Sequence, residues 1–265
     1  MDTQPAEWFS RGQDKHGMSL ACGADTPSGR CRLDVLVIDV GGSWVKVFAT
    51  HADQPRAFKS GPHLKPPELI DRVRAETQTW EYDAVAIGYP GSTGPHGPTS
   101  EAGNLGQGWV GFDFQEAFGR PVRIVNDAAM QALGSYSGGR MLFLGLGTGL
   151  GSALIGERVI LPLELGSLPH PSGDTLADRL GGSGLARLGV DEWIRAVHDA
   201  VEQFLPVFVA DHVVIGGGNA ELVDPLPACT RRGGNDDAFT GGFRLWEEDL
   251  EHHDTPPSSI WRVVW

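Results

Sequence analysis

The sequence is poor in cysteine and in positive charge. Its 265 residues include three cysteines, Cys22, Cys31 and Cys229. Their number is odd and they form no CxxC pair, so they define neither a disulfide framework nor a zinc site. Sparse, unpaired thiols point to a reducing, cytoplasmic compartment. Lysine and arginine together number 21 against 34 acids, a formal net charge of -13. Such a chain lacks the broad positive field that holds nucleic acid or an anionic membrane, so neither is expected as a partner. A small anion is not excluded, because backbone N–H groups hold phosphate whatever the net charge. No apolar run approaches the ~20 residues of a membrane helix. The first residues have neither the basic start nor the apolar core of a secretion signal.

Glycine is abundant, with 37 residues, and its placement organises the chain. Residues 1–32 are polar and without hydrophobic period, and read as an irregular N-terminal extension. Order is expected from Leu33. Residues 34–38 form a short β-branched run ending at Gly41-Gly42, the pattern of a buried strand and a tight turn, and residues 45–50 read as its antiparallel return. Residues 67–79 carry Leu69, Ile70 and Val73 at helical spacing, with a proline near the start. A strand follows at 84–87, then a long loop over 88–111 rich in Gly, Pro, Ser and Asn, and loops of that length inside compact domains are often functional. A strand at 122–125 delivers Asn126 and Asp127 at its end, ahead of a helix over 128–133. The opening pattern then recurs: an apolar run at 141–146, the turn Gly147-Thr148-Gly149, and a return strand at 152–155. The echo suggests two related lobes, each offering a glycine turn to a shared cleft. An amphipathic helix is expected over 191–210, bent or ended by Pro206. A strand at 212–215 leads into Gly216-Gly217-Gly218. A last helix over 237–250 looks weakened by Gly241-Gly242.

Five places carry candidate chemistry. At Asp39 to Lys46, the glycines of Gly41-Gly42-Ser43 let an anionic oxygen approach backbone N–H groups, and Asp39 is suited to hold a Mg²⁺-bound water. Gly147-Thr148-Gly149 offers the same approach plus a hydroxyl donor. Either turn, taken alone, also reads as a plain glycine hairpin. Asp127, at a strand end, can accept the proton of an attacking alcohol, with Asn126 fixing the hydroxyl, although an aspartate there commonly does no more than cap the next helix. Glu164, after an apolar run, can accept hydrogen bonds from sugar hydroxyls or serve as a surface acid. Gly216, Gly217 and Gly218 admit a nucleotide close to the backbone or form a tight strand-to-helix turn.

Taken in order, these motifs resemble the ROK sugar-kinase family, and within it the polyphosphate/ATP glucokinases. Asp39-Val-Gly-Gly-Ser-Trp-Val-Lys46 is similar to the first phosphate motif DxGGTxxK, with Ser43 in the threonine place. Ala102-Gly-Asn104-Leu through Gly108-Trp-Val-Gly111 resembles the sugar-contacting Asn segment, Val125-Asn126-Asp127-Ala128 the catalytic Asn-Asp, Leu146 to Gly151 the second phosphate motif, and Val214 to Gly218 the nucleotide-side glycines. The resemblance implies an α/β protein of the actin-like ATPase (ribonuclease H-like) fold, with two lobes around a cleft: residues 33–134, completed by a C-terminal helix within 236–265, and residues 135–235. It implies a sugar kinase that transfers a phosphoryl group from ATP or polyphosphate, with Mg²⁺, to a hexose-like hydroxyl, and often a homodimer. Asp127 would be the base; Asn104, Asn126 and Glu164 would face the sugar; Asp39, Gly41, Gly42, Ser43, Lys46, Gly147, Thr148 and Gly149 would face the phosphoryl group, and Gly216, Gly217 and Gly218 the nucleotide. One departure stands at the sugar motif ExGH, which here reads Glu164-Leu-Gly-Ser167. The missing histidine leaves open a different sugar, or a sugar-binding protein without turnover, and His170 lies three residues on. The cysteine-rich zinc segment of many members and the N-terminal helix-turn-helix of the repressor members are both missing.

Overall fold

A computed structural model describes residues 33–234, 236–247 and 261–265. The reading of residues 1–32 lies outside these, as do Cys22 and Cys31. Asp34–Trp265 form one compact unit built on two sheets. No helix among the described residues is long and apolar enough to cross a membrane.

The first half runs β1 (Val35–Val40), β2 (Trp44–Ala49), β3 (Arg56–Lys59), α1 (Pro66–Glu76), β4 (Ala84–Tyr89), the small hairpin β5 (Thr93–Gly94) and β6 (Gly97–Pro98), α2 (Phe114–Phe118), β7 (Val122–Asn126) and α3 (Asp127–Ser135). The first sheet has the order β3-β2-β1-β4-β7, with β1, β4 and β7 parallel and β2 antiparallel to both of its neighbours, β1 and β3. Strand β1 is buried along its whole length, as a central parallel strand covered on both faces must be. Its side chains alternate between two cores. Leu36, Ile38 and Val40 pack with α1 residues Leu69, Ile70 and Val73, while Val35 and Val37 pack with α3. Asp39 has the parity of Val35 and Val37, so it sits on the α3 side of the sheet.

The second half runs β8 (Met141–Leu146), β9 (Leu150–Gly156), β10 (Val159–Leu163), a 3₁₀ turn at Leu165–Ser167, α4 (Leu176–Leu180), α5 (Gly182–Leu188), α6 (Val190–Val207), β11 (His212–Gly216), β12 (Thr230–Arg232), α7 (Asp237–Arg244) and β13 (Arg262–Val263). Its sheet has the order β12-β11-β8-β9-β10-β13. The echo read in the sequence is present in three dimensions. In each sheet a strand (β1, β8) turns through glycines into an antiparallel return (β2, β9) and takes a parallel partner (β4, β11) on its other edge.

One core joins the two sheets. Val35 and Val37 of β1, Met141 and Phe143 of β8, and Ala128, Ala129, Met130, Ala132 and Leu133 of α3 all belong to it, with Ala238 and Phe239 of α7. Helices α3 and α7 cross with backbone against backbone: a Cβ on Gly134 would overlap the Asp237 carbonyl, and one on Gly241 the Met130 carbonyl. At Gly242 a Cβ would meet the Val37 side chain of β1. These glycines therefore permit close packing, and the helix of Gly241 and Gly242 ends at Arg244, short of the expected 250. Trp246 donates from its indole to the Val85 carbonyl at 3.3 Å, which ties the end of α7 to the first sheet. The chain terminus instead pairs β13 with β10 of the second sheet. Pro206 falls in the last turn of α6, where it is tolerated within the helix.

Candidate active site

Asp39 is 8% exposed and lies opposite Lys46 in the β1–β2 register. Burial pushes its carboxyl up from the usual carboxylate range and the Lys46 charge pulls it back. Beyond it the chain turns at Gly41–Ser43. The Gly41 N–H donates to the Trp44 carbonyl at 2.9 Å, and Ser60 braces the turn, its hydroxyl donating to the Gly41 carbonyl at 2.7 Å and its N–H to the Ser43 carbonyl at 3.1 Å. Among the described residues the N–H groups of Gly42 and Ser43 have no acceptor. Asn104 reaches this turn from the long loop: a Cβ on Gly42 would lie 2.6 Å from its Nδ2. The start of that loop is held by the fully buried Tyr89, whose hydroxyl donates to the Ser100 carbonyl at 3.0 Å and accepts from the Ala102 N–H at 2.8 Å.

At the end of β7 two adjacent polar residues divide their work. Asn126 is the cap of α3, its Oδ1 accepting from the Ala129 N–H at 3.1 Å and its Nδ2 donating to the Gly91 carbonyl at 3.2 Å. Asp127 is thereby released from capping. It is half-buried, and its carboxylate accepts from the Ala128 N–H at 2.8 Å. Burial pushes its carboxyl up to about 7; the negative charges of Asp39 and Glu164 push the same way and the Ala128 N–H opposes them. Glu164 follows β10 and keeps an exposed face, while burial of its inner side raises its carboxyl too. Three carboxylates from three separate stretches thus share one field.

The second glycine turn adjoins the same place. A Cβ on Gly151 would lie 2.8 Å from the Ala128 methyl, so β9 runs directly beside the first turn of α3. Thr148 is exposed at the tip. The Gly147 carbonyl accepts from the Gly182 N–H at 2.9 Å and from Asn219 Nδ2 at 3.3 Å. Gly217, at φ 84, presses on the Leu146 carbonyl, and the Asn219 N–H donates to that carbonyl at 2.9 Å. Gly216 pairs with Gly145 of β8 and Gly217 abuts Leu146, while Gly218 has open space where a Cβ would be. Gly166 abuts the Leu150 carbonyl, 2.9 Å from where its Cβ would be, which sets Glu164 near the start of β9.

The structure brings Asp39, Lys46, Asp127 and Glu164 into electrostatic contact, and Asn104 onto the first turn. Asn126 has one hydrogen bond at each end of its amide, to the Gly91 carbonyl and from the Ala129 N–H. His170 Nδ1 pairs with the Ser172 hydroxyl at 2.7 Å inside its own loop, and Ser167 is exposed. Arg231 donates to the Ser135 carbonyl, and Arg232 to those of Ala220 and Val223. Ser60, Tyr89 and Gly182 escaped the sequence reading. Only the cluster Gly181-Gly182-Ser183-Gly184 carried a signal for any of them, as glycines grouped where backbones meet.

No protein-family model matches the chain. The polyphosphate glucokinase of Mycobacterium tuberculosis (strain CDC 1551 / Oshkosh) is 28% identical over 166 residues, which cover 55% of this chain and 62% of that protein. The matched segment thus spans less than two thirds of that relative. Among solved structures, the inorganic polyphosphate/ATP-glucomannokinase of Arthrobacter sp. strain KM superposes with a TM-score of 0.70 at 23% identity, covering 83% of this chain and all (100%) of that one. The ROK family glucokinase of Streptomyces griseus, in complex with glucose and AMPPNP, superposes with a TM-score of 0.63 at 16% identity, covering 80% and 98%. The chain has the fold of the ROK sugar kinases, an actin-like α/β architecture.

Proposed function

We propose that this protein transfers a phosphoryl group from ATP or inorganic polyphosphate to a hydroxyl of a hexose-like sugar, with Asp127 as general base. The observation that carries this reading is the division of labour at the end of β7. Asn126 caps the helix, so the Asp127 carboxylate is left half-buried with a pKa pushed up to about 7. That value suits a base that must accept a proton near neutral pH. The names of the relatives, two of which use polyphosphate, support the donor class.

In this mechanism the sugar hydroxyl loses its proton to Asp127 as its oxygen attacks the terminal phosphorus, and the bond to the donor's bridging oxygen breaks. The free N–H groups of Gly42 and Ser43 and the exposed hydroxyl of Thr148 stabilise charge on the phosphoryl oxygens. Asn104 and Glu164 orient the sugar. Asp39 offers one hard carboxylate oxygen on the phosphate side, and no group of three potential metal ligands gathers among the described residues. That donor set fits Mg²⁺, which takes one or two carboxylates and completes its shell with water and substrate phosphates. When bound, the ion would neutralise charge on the donor.

The test is purified protein incubated with Mg²⁺, ATP or polyphosphate, and a panel of hexoses, with D127N and D127A in parallel. Sugar phosphate is expected from the parent, and a fall of roughly 10²–10⁴ in kcat from the variants, the usual worth of a general base. Near-parental turnover by D127A would remove Asp127 from the chemistry. A second reading, a sugar-binding protein without turnover, is favoured by Ser167, exposed where the motif has histidine. Calorimetric sugar binding with no phosphorylation from either donor would select it.

A further inference from the structure

Glu101 lies three residues before Asn104 and has no place in the chemistry described above. Its carboxylate collects the backbone of three consecutive residues. The Gly108 N–H lies 3.2 Å from both oxygens, the Trp109 N–H donates to Oε2 at 3.1 Å and the Val110 N–H to Oε1 at 3.2 Å. Successive N–H groups turned to one side make an anion-binding concavity, and here the anion is supplied by the chain itself. Burial raises the Glu101 carboxyl, but the three donors outweigh it and hold the group below the usual range.

The effect is to close residues 101–110 into a ring. Its base is fixed on the buried Tyr89 and Trp109, whose rings stand 5.1 Å apart. The Trp109 indole donates to the Leu64 carbonyl at 3.3 Å, and the Gly106 N–H donates to the same oxygen at 3.0 Å. Asn104 sits on the arc between these ties, pressed against Gly42. Regular secondary structure does not hold this arc; the Leu64 carbonyl and the Tyr89 hydroxyl tie its middle and its start, and the Glu101 carboxylate ties its far end.

We propose that Glu101 is a positioning residue that sets Asn104 for sugar binding by clamping the far end of its loop. This rests on the sugar-kinase reading, and the experiment separates the two. E101A, E101Q and N104A are compared for sugar KM, donor KM and kcat, and for amide exchange over residues 102–110 without substrate. E101A is expected to raise the sugar KM about tenfold, the loss of one oriented hydrogen bond. Donor KM and kcat stay near parental, and exchange at Gly108, Trp109 and Val110 accelerates. E101Q, which keeps one acceptor oxygen, recovers part of the loss. Adding N104A to E101A should raise the sugar KM no further than N104A alone. The proposal is overturned if N104A raises the sugar KM and E101A does not, if donor KM and kcat change as much as sugar KM, or if exchange over 108–110 is unaltered. If N104A itself leaves the sugar KM unchanged, the sugar assignment of Asn104 fails, and the clamp, even with altered exchange, loses the function proposed for it.

Discussion

The side-chain amide of Asn104 fills the space that a Cβ on Gly42 would need, 2.6 Å from its nitrogen. A residue from the long loop is thus fitted to the first glycine turn by the turn's lack of a side chain. Gly42 does not adopt a positive φ, so alanine there strains nothing in the backbone. G42A should therefore act by displacing Asn104: sugar KM rises roughly tenfold while stability stays within about 0.5 kcal/mol. Steady-state kinetics and a urea melt check both halves. A large loss of stability would show that Gly42 serves folding instead.

A second prediction concerns pH and rate. Asp127 must be ionised to take a proton, and its pKa is pushed up to about 7. The kcat/KM of the free enzyme should therefore rise with pH and level off above about 7. Of the two neighbouring charges that raise it, Asp39 contributes more than Glu164. E164Q should move the midpoint of the residual activity slightly toward acid, and D39N further. A midpoint unmoved in D39N would show that the two carboxylates do not share a field.

The same shift predicts how stability varies. The ordinary aspartate pKa is 3.8 and the folded value is about 7, so the folded state binds the proton more tightly. Stability contributed by this group is full below the unfolded pKa, is lost as pH rises through the window from about 4 to about 7, and stays lost above it. Asn at this position carries no charge to bury. D127N should then melt higher than the parent at pH 8, with the gain shrinking toward pH 4, even as it loses activity. Thermal melts of the two proteins across that range without substrate or metal provide the check, and a pH-independent difference would contradict the shift.

The parts of this architecture that a reader of the sequence can see are those whose burial leaves a continuous apolar trace. Strands β1, β4, β8 and β11 are buried on both faces and read directly as short runs of Val, Ile, Leu and Ala. The glycine turns between β1 and β2 and between β8 and β9 repeat, and repetition is visible without coordinates. Helices α2, α4 and α5 have 5, 5 and 7 residues, too few for a 3.6-residue period to emerge. Strand β10 carries Pro162, which argues locally against a strand. At Asn126-Asp127 the sequence shows two polar residues either of which can cap a helix. Only the backbone decides that Asn126 does so and leaves the Asp127 carboxylate free of that job. Glu101 is equally mute in sequence, because its partners are backbone N–H groups that carry no residue signature.

The crossing of α3 and α7 gives the prediction with the largest expected effect on folding. On propensity alone, alanine should stabilise a helix by ~1 kcal/mol over glycine. At Gly134 and Gly241 the added carbon would overlap main-chain carbonyls of the facing helix, Asp237 and Met130, and backbone cannot swing aside as a side chain tip can. The helices would have to separate, opening the core that α3 and α7 share with Val37 and Phe143. Overpacking of this kind costs about 1–3 kcal/mol and can exceed it, so it outweighs the propensity gain and reverses the sign. G134A and G241A are each expected to lower the urea midpoint. Combined, they should cost less than the sum, because one separation of the helices relieves both overlaps. A neutral or stabilised G241A would mean that the helices have room to part, and that the two sheets are not locked at this crossing.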